Sequence, residues 1–284
     1  MPGLELLTYA FMQRAFLAGI AVAIVCPLIG VFLVLRRLSL LADGLGHVTF
    51  AGLAAGFLFG IYPLLAALVA AIVGAVGIER IRTRGRIAGD AAIAMFYTAG
   101  LALGVVLVSR AGGFNVNVLG YLFGSIAAVA PRDLLTVAIL AAIVVTLIAL
   151  FYKELLYLTF DEQSARAAGL PALAVNTLLA ALAAITTVAA MQIVGLLLVS
   201  SLMVLPALTA IRLAKSFRGT LAIAVAAALI AVLVGLTLSF YLDSAPGGTI
   251  VLSALAVFGL ASLAERRSQV TSPQVTSLFG RRTG

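Results

Sequence analysis

Residues 15–37, AFLAGIAVAIVCPLIGVFLVLRR, decide the fold class. From Ala15 to Leu35 no side chain is polar, and Arg36 and Arg37 then follow together. A helix rises 1.5 Å per residue, so this run reaches about 30 Å, the thickness of a bilayer's hydrocarbon core. No small-residue cleavage site and no basic leader mark it as a removable signal, so it reads as a retained span. Apolar runs of similar length recur at 40–60, 61–79, 91–109, 134–152, 172–191, 193–212, 220–242 and 248–264. The expectation is an all-α, polytopic membrane protein of eight to nine spans. The segment 114–131 is too short to span and reads as a re-entrant or interfacial helix. Residues 1–267 then form one membrane domain, and the polar stretch 268–284 reads as a disordered tail.

Composition agrees. Hydrophobic residues make up 64% of the 284, charged residues 10%, and the mean hydropathy is +1.24. A soluble domain is about half apolar and a quarter charged. The net charge of +8 does not indicate nucleic-acid binding, because the basic residues sit between apolar runs. With the amino terminus outside, 15 of the 18 basic residues fall on inner segments, leaving only Arg14, Arg110 and Arg132 outside. The positive-inside rule therefore predicts amino terminus out and carboxy terminus cytoplasmic. A single cysteine, Cys26, excludes an intrachain disulfide.

Enzymatic classes find little support. Neither lysine, Lys153 nor Lys215, lies in the glycine-rich pattern that cradles phosphates, so any ATP is hydrolysed by a separate subunit. One histidine cannot make the two-histidine motif of a metalloprotease.

That histidine belongs to LADGLGHVTFAG, residues 41–52. Asp43 and His47 are one helical turn apart, which puts a carboxylate and an imidazole on one face. This donor set suits zinc, manganese or iron(II), and ionisable groups inside a span mark function by default. A plainer reading has Asp43 capping the helix or pairing with Arg36 or Arg37. Two ligands also leave a coordination sphere to be completed by water, a second copy or other groups.

Two further segments stand out. In TFDEQSARAAGLP, residues 159–171, Thr159 with Glu162 forms a capping box, and Gly169 and Pro171 end a short polar helix. It is either a connector or a docking knob for a cytoplasmic partner. In IVGLLLV, residues 193–199, and LPALTA, residues 205–210, Pro206 breaks the backbone ladder inside a span.

In this order the three segments resemble the zinc- and manganese-type metal permeases of bacterial ABC importers, the ABC-3 permeases, over nearly the whole chain. The carrying residues are Asp43, His47 and Gly52; Asp161, Ala165 and Gly169, with Glu162 beside them; Gly195 to Val199; and Leu205 to Ala210. The resemblance implies a homodimer in the bacterial inner membrane with the pathway between protomers. It implies two copies of an ATPase docked on coupling helices at Asp161, Glu162, Ala165 and Gly169, and an extracytoplasmic protein that delivers the metal. Asp43 and His47 would be the intramembrane metal site, with Gly52, Gly195 and Pro206 serving packing or gating. Gly44 and Gly46 depart from the family's usual small residues, which loosens the helix. Ala51, where manganese-type members have proline, leans toward zinc, with iron possible. The alternatives are a permease for a chelated metal or cofactor, and a proton-coupled secondary transporter using Asp43.

Overall fold

The computed structural model describes residues 8–83, 88–113, 116–125 and 130–271. Every regular element among them is a helix: α1 (Ala10–Leu35), α2 (Leu40–Phe59), α3 (Pro63–Thr83), α4 (Gly89–Arg110), α5 (Val116–Phe123), α6 (Pro131–Leu150), α7 (Tyr152–Phe160), α8 (Glu162–Ala167), α9 (Ala172–Ala190), α10 (Val199–Leu213), α11 (Phe217–Leu242) and α12 (Pro246–Thr271). Eight are long and apolar enough to cross a membrane, namely α1, α2, α3, α4, α6, α9, α11 and α12. α1, α2 and α9 are the most enclosed, whereas α4 and α12 leave most of their surfaces open. Leu103, Val106, Leu252 and Leu260 are more than half exposed on these helices, a surface that suits acyl chains rather than water. The protein is a multi-pass membrane protein.

Helix α12 runs to Thr271, four residues into the stretch that composition assigned to a tail; residues 272–284 lie outside the described residues.

The span expected at 193–212 is corrected. Residues 191–198 form turns, and α10 holds only 15 residues, about 22 Å of helix. Composition hid the break because the broken backbone is buried rather than polar. Two of its N–H groups find partners in α5: Leu196 donates to the Tyr121 carbonyl at 2.9 Å and Leu197 to the Leu122 carbonyl at 3.2 Å. In return Ser125 donates to the Gln192 carbonyl at 3.1 Å. Non-helical backbone survives at membrane depth only when satisfied by protein in this way. The short segment after α4 thus has a structural task, and its eight-residue helix fits the re-entrant expectation; residues 114–115 and 126–129 lie outside the described residues.

Gly195 is the hinge of this arrangement. Its φ of +85° is left-handed, and a Cβ there would run into the Phe123 carbonyl carbon and the Gly124 nitrogen. Gly195→Ala is therefore expected to lower the detergent-solubilised protein's melting temperature by several degrees, from about 2 kcal/mol or more of combined strain and overlap. A wild-type melting curve would contradict this placement.

All four ion pairs between described residues gather at one end of the bundle, where α1, α3 and α10 finish and α8 lies. At the other end Tyr62 donates to Asp133 at 2.7 Å, and the Arg132 guanidinium stacks 4.3 Å from the Tyr62 ring.

Candidate cation site between α2 and α4

Asp43 and His47 lie in the first two turns of α2. The His47 ring nitrogen Nδ1 is 2.9 Å from the Asp43 main-chain oxygen. A carbonyl oxygen only accepts, so Nδ1 carries the hydrogen, and in the neutral ring the lone pair is then on Nε2. The backbone thereby fixes the imidazole in the tautomer a metal ligand needs. The Tyr97 ring of α4 lies against His47, with centroids 3.9 Å apart, and limits its rotation.

The Asp43 carboxylate makes no hydrogen bond or ion pair among the described residues. Arg36, considered above as its partner, turns instead to Glu162 at 3.2 Å and to Asn176 at 2.8 Å. Asp43 still suits the positive end of α2, and that role leaves both its oxygens available.

Both side chains face a cleft of about 470 Å³ that also admits Asp90, Tyr97, Thr98 and Leu197. Asp90 is the residue that the sequence reading missed. It lies in the first turn of α4, 47 positions after Asp43, and no periodicity within either helix shows that the two meet. Leu197 comes from the α9–α10 break, so the third sequence motif reaches the first. Among the described residues no three His, Cys, Asp or Glu side chains stand close enough to share one ion. A second cleft, between α11 and α12, is lined by apolar side chains such as Ile230, Val234 and Leu252. Its two hydroxyls, Thr249 and Ser253, are turned onto carbonyls of their own helix. It offers a cation nothing.

Close helix packing builds the polar cleft. A Cβ on Gly44 would lie 2.8 Å from Ile93 Cγ2, and one on Gly100 would lie 2.7 Å from the His47 carbonyl carbon. Gly44, read above as loosening α2, is where α4 seats on it. Gly52 serves the opposite face, since a Cβ there would lie 2.7 Å from the Ala66 carbonyl oxygen of α3. Pro206 is buried within α10.

The 159–171 segment folds as a short helix, with one correction to its cap. Thr159 belongs to α7 and bonds the Leu155 carbonyl at 2.6 Å. The chain turns extended at Asp161 instead, whose side chain accepts from the Ser164 N–H at 2.9 Å. Gly169, at φ +84°, closes α8, and Leu170 N–H bonds the Ala165 carbonyl at 3.0 Å. Ala165 is fully buried. Glu162 does not point away from the bundle. Its carboxylate takes Arg36 at 3.2 Å and Arg166 at 2.6 Å, and Asn176 of α9 joins both Arg36 and Glu162. Burial works to raise the Glu162 carboxyl, but the bond from Arg166 and the charge of Arg36 outweigh it and hold it below the ordinary range. Hydrogen bonds from Ser164 likewise lower Asp161. Both groups therefore remain charged at neutral pH, and what they add to stability is lost only as pH falls through those lowered values.

Comparison with known proteins agrees with this architecture. Residues 8–265 match the model of the ABC 3 transport family. The manganese transport system membrane protein MntC of Halalkalibacterium halodurans is 34% identical over 90% of this chain and 88% of its own length. A probable iron transport system membrane protein of Haemophilus influenzae is 33% identical over 91% and 95%. Among solved structures, PsaBC from Streptococcus pneumoniae in complex with Fab superposes with a TM-score of 0.84 at 31% identity, covering 95% of this chain and 98% of that one. With its family model spanning α1 to α12 and its relatives matched nearly end to end, the chain belongs to the ABC 3 transport family.

Proposed function

We propose that this chain is the membrane-spanning permease subunit of an ATP-driven importer for a divalent transition metal. The observation that carries the reading is the pairing in one cleft of an Asp43 carboxylate and a His47 Nε2 that have no partner among the described residues. One oxygen and one imidazole donor accept manganese, iron(II) or zinc. The relatives' names, manganese and iron, favour those metals over the zinc to which Ala51 leaned. Water and a second copy of the chain complete the coordination. α4 leaves Ala91, Ala94 and Thr98 exposed beside the cleft, where a second protomer would cover them.

The charged end carrying Arg36, Arg82, Arg166 and Arg212 is the cytoplasmic one by the positive-inside rule, which puts the amino terminus outside. α8 there receives one of two ATPase copies, and an extracytoplasmic binding protein delivers the metal at the opposite face. Transport is alternating access, with the cation resting at Asp43 and His47 between the two faces.

Reconstitution with the ATPase and the binding protein tests this. ATP hydrolysis is expected to rise several-fold, and radiolabelled Mn²⁺ to accumulate, only when the binding protein carries its metal. Metal accumulation without ATP would instead establish a secondary transporter.

A further inference from the structure

Asp90 shares the cleft with Asp43 and His47 but comes from a different helix and sits at a different depth. Gly44 and Ile93 mark where α2 and α4 are level. Counting from that level along each helix, His47 is three residues further in and Asp90 three residues back toward the helix starts. At 1.5 Å per residue this contact separates the two by about 9 Å along the bundle, and the contact of Gly100 with the His47 carbonyl carbon by about 15 Å; either places Asp43 between them. This separation explains why the three groups do not form one coordination shell. It also orders them as imidazole, first carboxylate, second carboxylate, toward the end where α2 and α4 begin.

That is the same end as α8 and the ion pairs, the cytoplasmic one on the functional reading above, and the role assigned to Asp90 rests on that reading. A cation leaving Asp43 and His47 inward must give up an imidazole and a carboxylate in a setting of lower dielectric than water. Each donor lost without replacement leaves the ion's charge less compensated, which a low dielectric penalises. A carboxylate one step further along lets ligands be exchanged one at a time. Asp90 is an exposed side chain, so its other role, complementing the positive end of α4, does not hold it away from the cleft.

We propose that Asp90 is the exit ligand, the carboxylate that takes the divalent cation from Asp43 and His47 on the cytoplasmic side. It governs release rather than capture. The position predicts a split between binding and turnover that a merely structural residue would not produce.

The test uses the complete permease–ATPase complex, Mn²⁺ as probe, and the variants Asp90→Asn and Asp90→Glu. Equilibrium Mn²⁺ binding is read from the paramagnetic resonance signal of the free ion, and uptake is read in proteoliposomes. For Asp90→Asn the Mn²⁺ Kd is expected within about 2-fold of wild type while the uptake rate falls at least about 10-fold, the range typical of lost supporting carboxylates. Asp90→Glu is expected to restore most of the rate. Unchanged uptake in Asp90→Asn overturns the proposal. So does loss of Mn²⁺ binding in that variant, which would put Asp90 in the capture site itself. Failure of the underlying reading shows elsewhere: His47→Ala would then bind Mn²⁺ normally whatever Asp90→Asn does.

Discussion

Replacing His47 by alanine is expected to reduce metal uptake to background while the permease still assembles with its ATPase. The two halves of that outcome have separate physical grounds. His47 is only partly buried at the cleft edge, and its interior neighbours Leu45 and Phe50 are core residues in their own right. Losing the ring removes one tilted ring contact with Tyr97, worth about 1 kcal/mol. That is too little to unfold a bundle of this size. The chemical loss is much larger. Each protomer then offers only Asp43 as a donor at that depth, and carboxylates without an imidazole lose the selective nitrogen donor of the site. Asp43→Asn, which keeps shape and removes charge, is expected to be nearly as severe. The readouts are radiolabelled Mn²⁺ uptake and co-purification of the ATPase. Normal uptake by His47→Ala would dispose of the ligand assignment.

Much of this site was legible in the sequence because α2 is regular. Asp43 and His47 are related by one turn, and helical spacing alone places them on the same face. What the sequence could not carry was every relation between helices. Asp90 is separated from Asp43 by all of α3, and only packing brings α4 against α2. The same holds for Glu162, whose partners Arg36 and Asn176 come from two other elements. Residues 191–198 were misread for a different reason. Hydropathy registers whether a segment is apolar, and this one is; it does not register that the Leu196 and Leu197 N–H groups bond to α5 rather than to the preceding turn. Gly195 was the available signal, since a helix interior penalises glycine. Next to a proline-containing run it looked like one more small packing residue. The cap at 159–162 was missed by two residues, because α7 extends through Thr159 and either Thr159 or Asp161 could serve as a cap.

The Glu162–Arg36 pair leads to the second large effect, and it separates two residues that the sequence treats alike. Glu162→Lys is expected to abolish transport while ATP hydrolysis continues, whereas Asp161→Asn is expected to leave transport largely intact. Asp161 is a solvent-exposed helix cap, and asparagine caps nearly as well. Glu162 instead joins α8 to the tight turn between α1 and α2. In that turn Leu38 N–H bonds the Leu33 carbonyl at 2.8 Å and Arg37 adopts φ 57°, leaving little slack before α2 begins at Leu40. On the proposed function, displacement of α8 by a docked ATPase would reach the turn that leads, within α2's first coil, to Asp43. The Arg36 side chain is 6% exposed against 35% for Glu162. Reversing the charge leaves a nearly buried guanidinium facing an ammonium, a cost of about 2–3 kcal/mol after allowing for solvent at Glu162. That energy breaks the link without unfolding the bundle. Exchanging the pair, Arg36→Glu with Glu162→Arg, is expected to recover part of the transport lost in either single variant, because the attraction is restored while the contacts to Arg166 and Asn176 are not. The measurement is the ratio of metal taken up to ATP hydrolysed in proteoliposomes. A wild-type ratio in Glu162→Lys would show that force reaches α2 by another route.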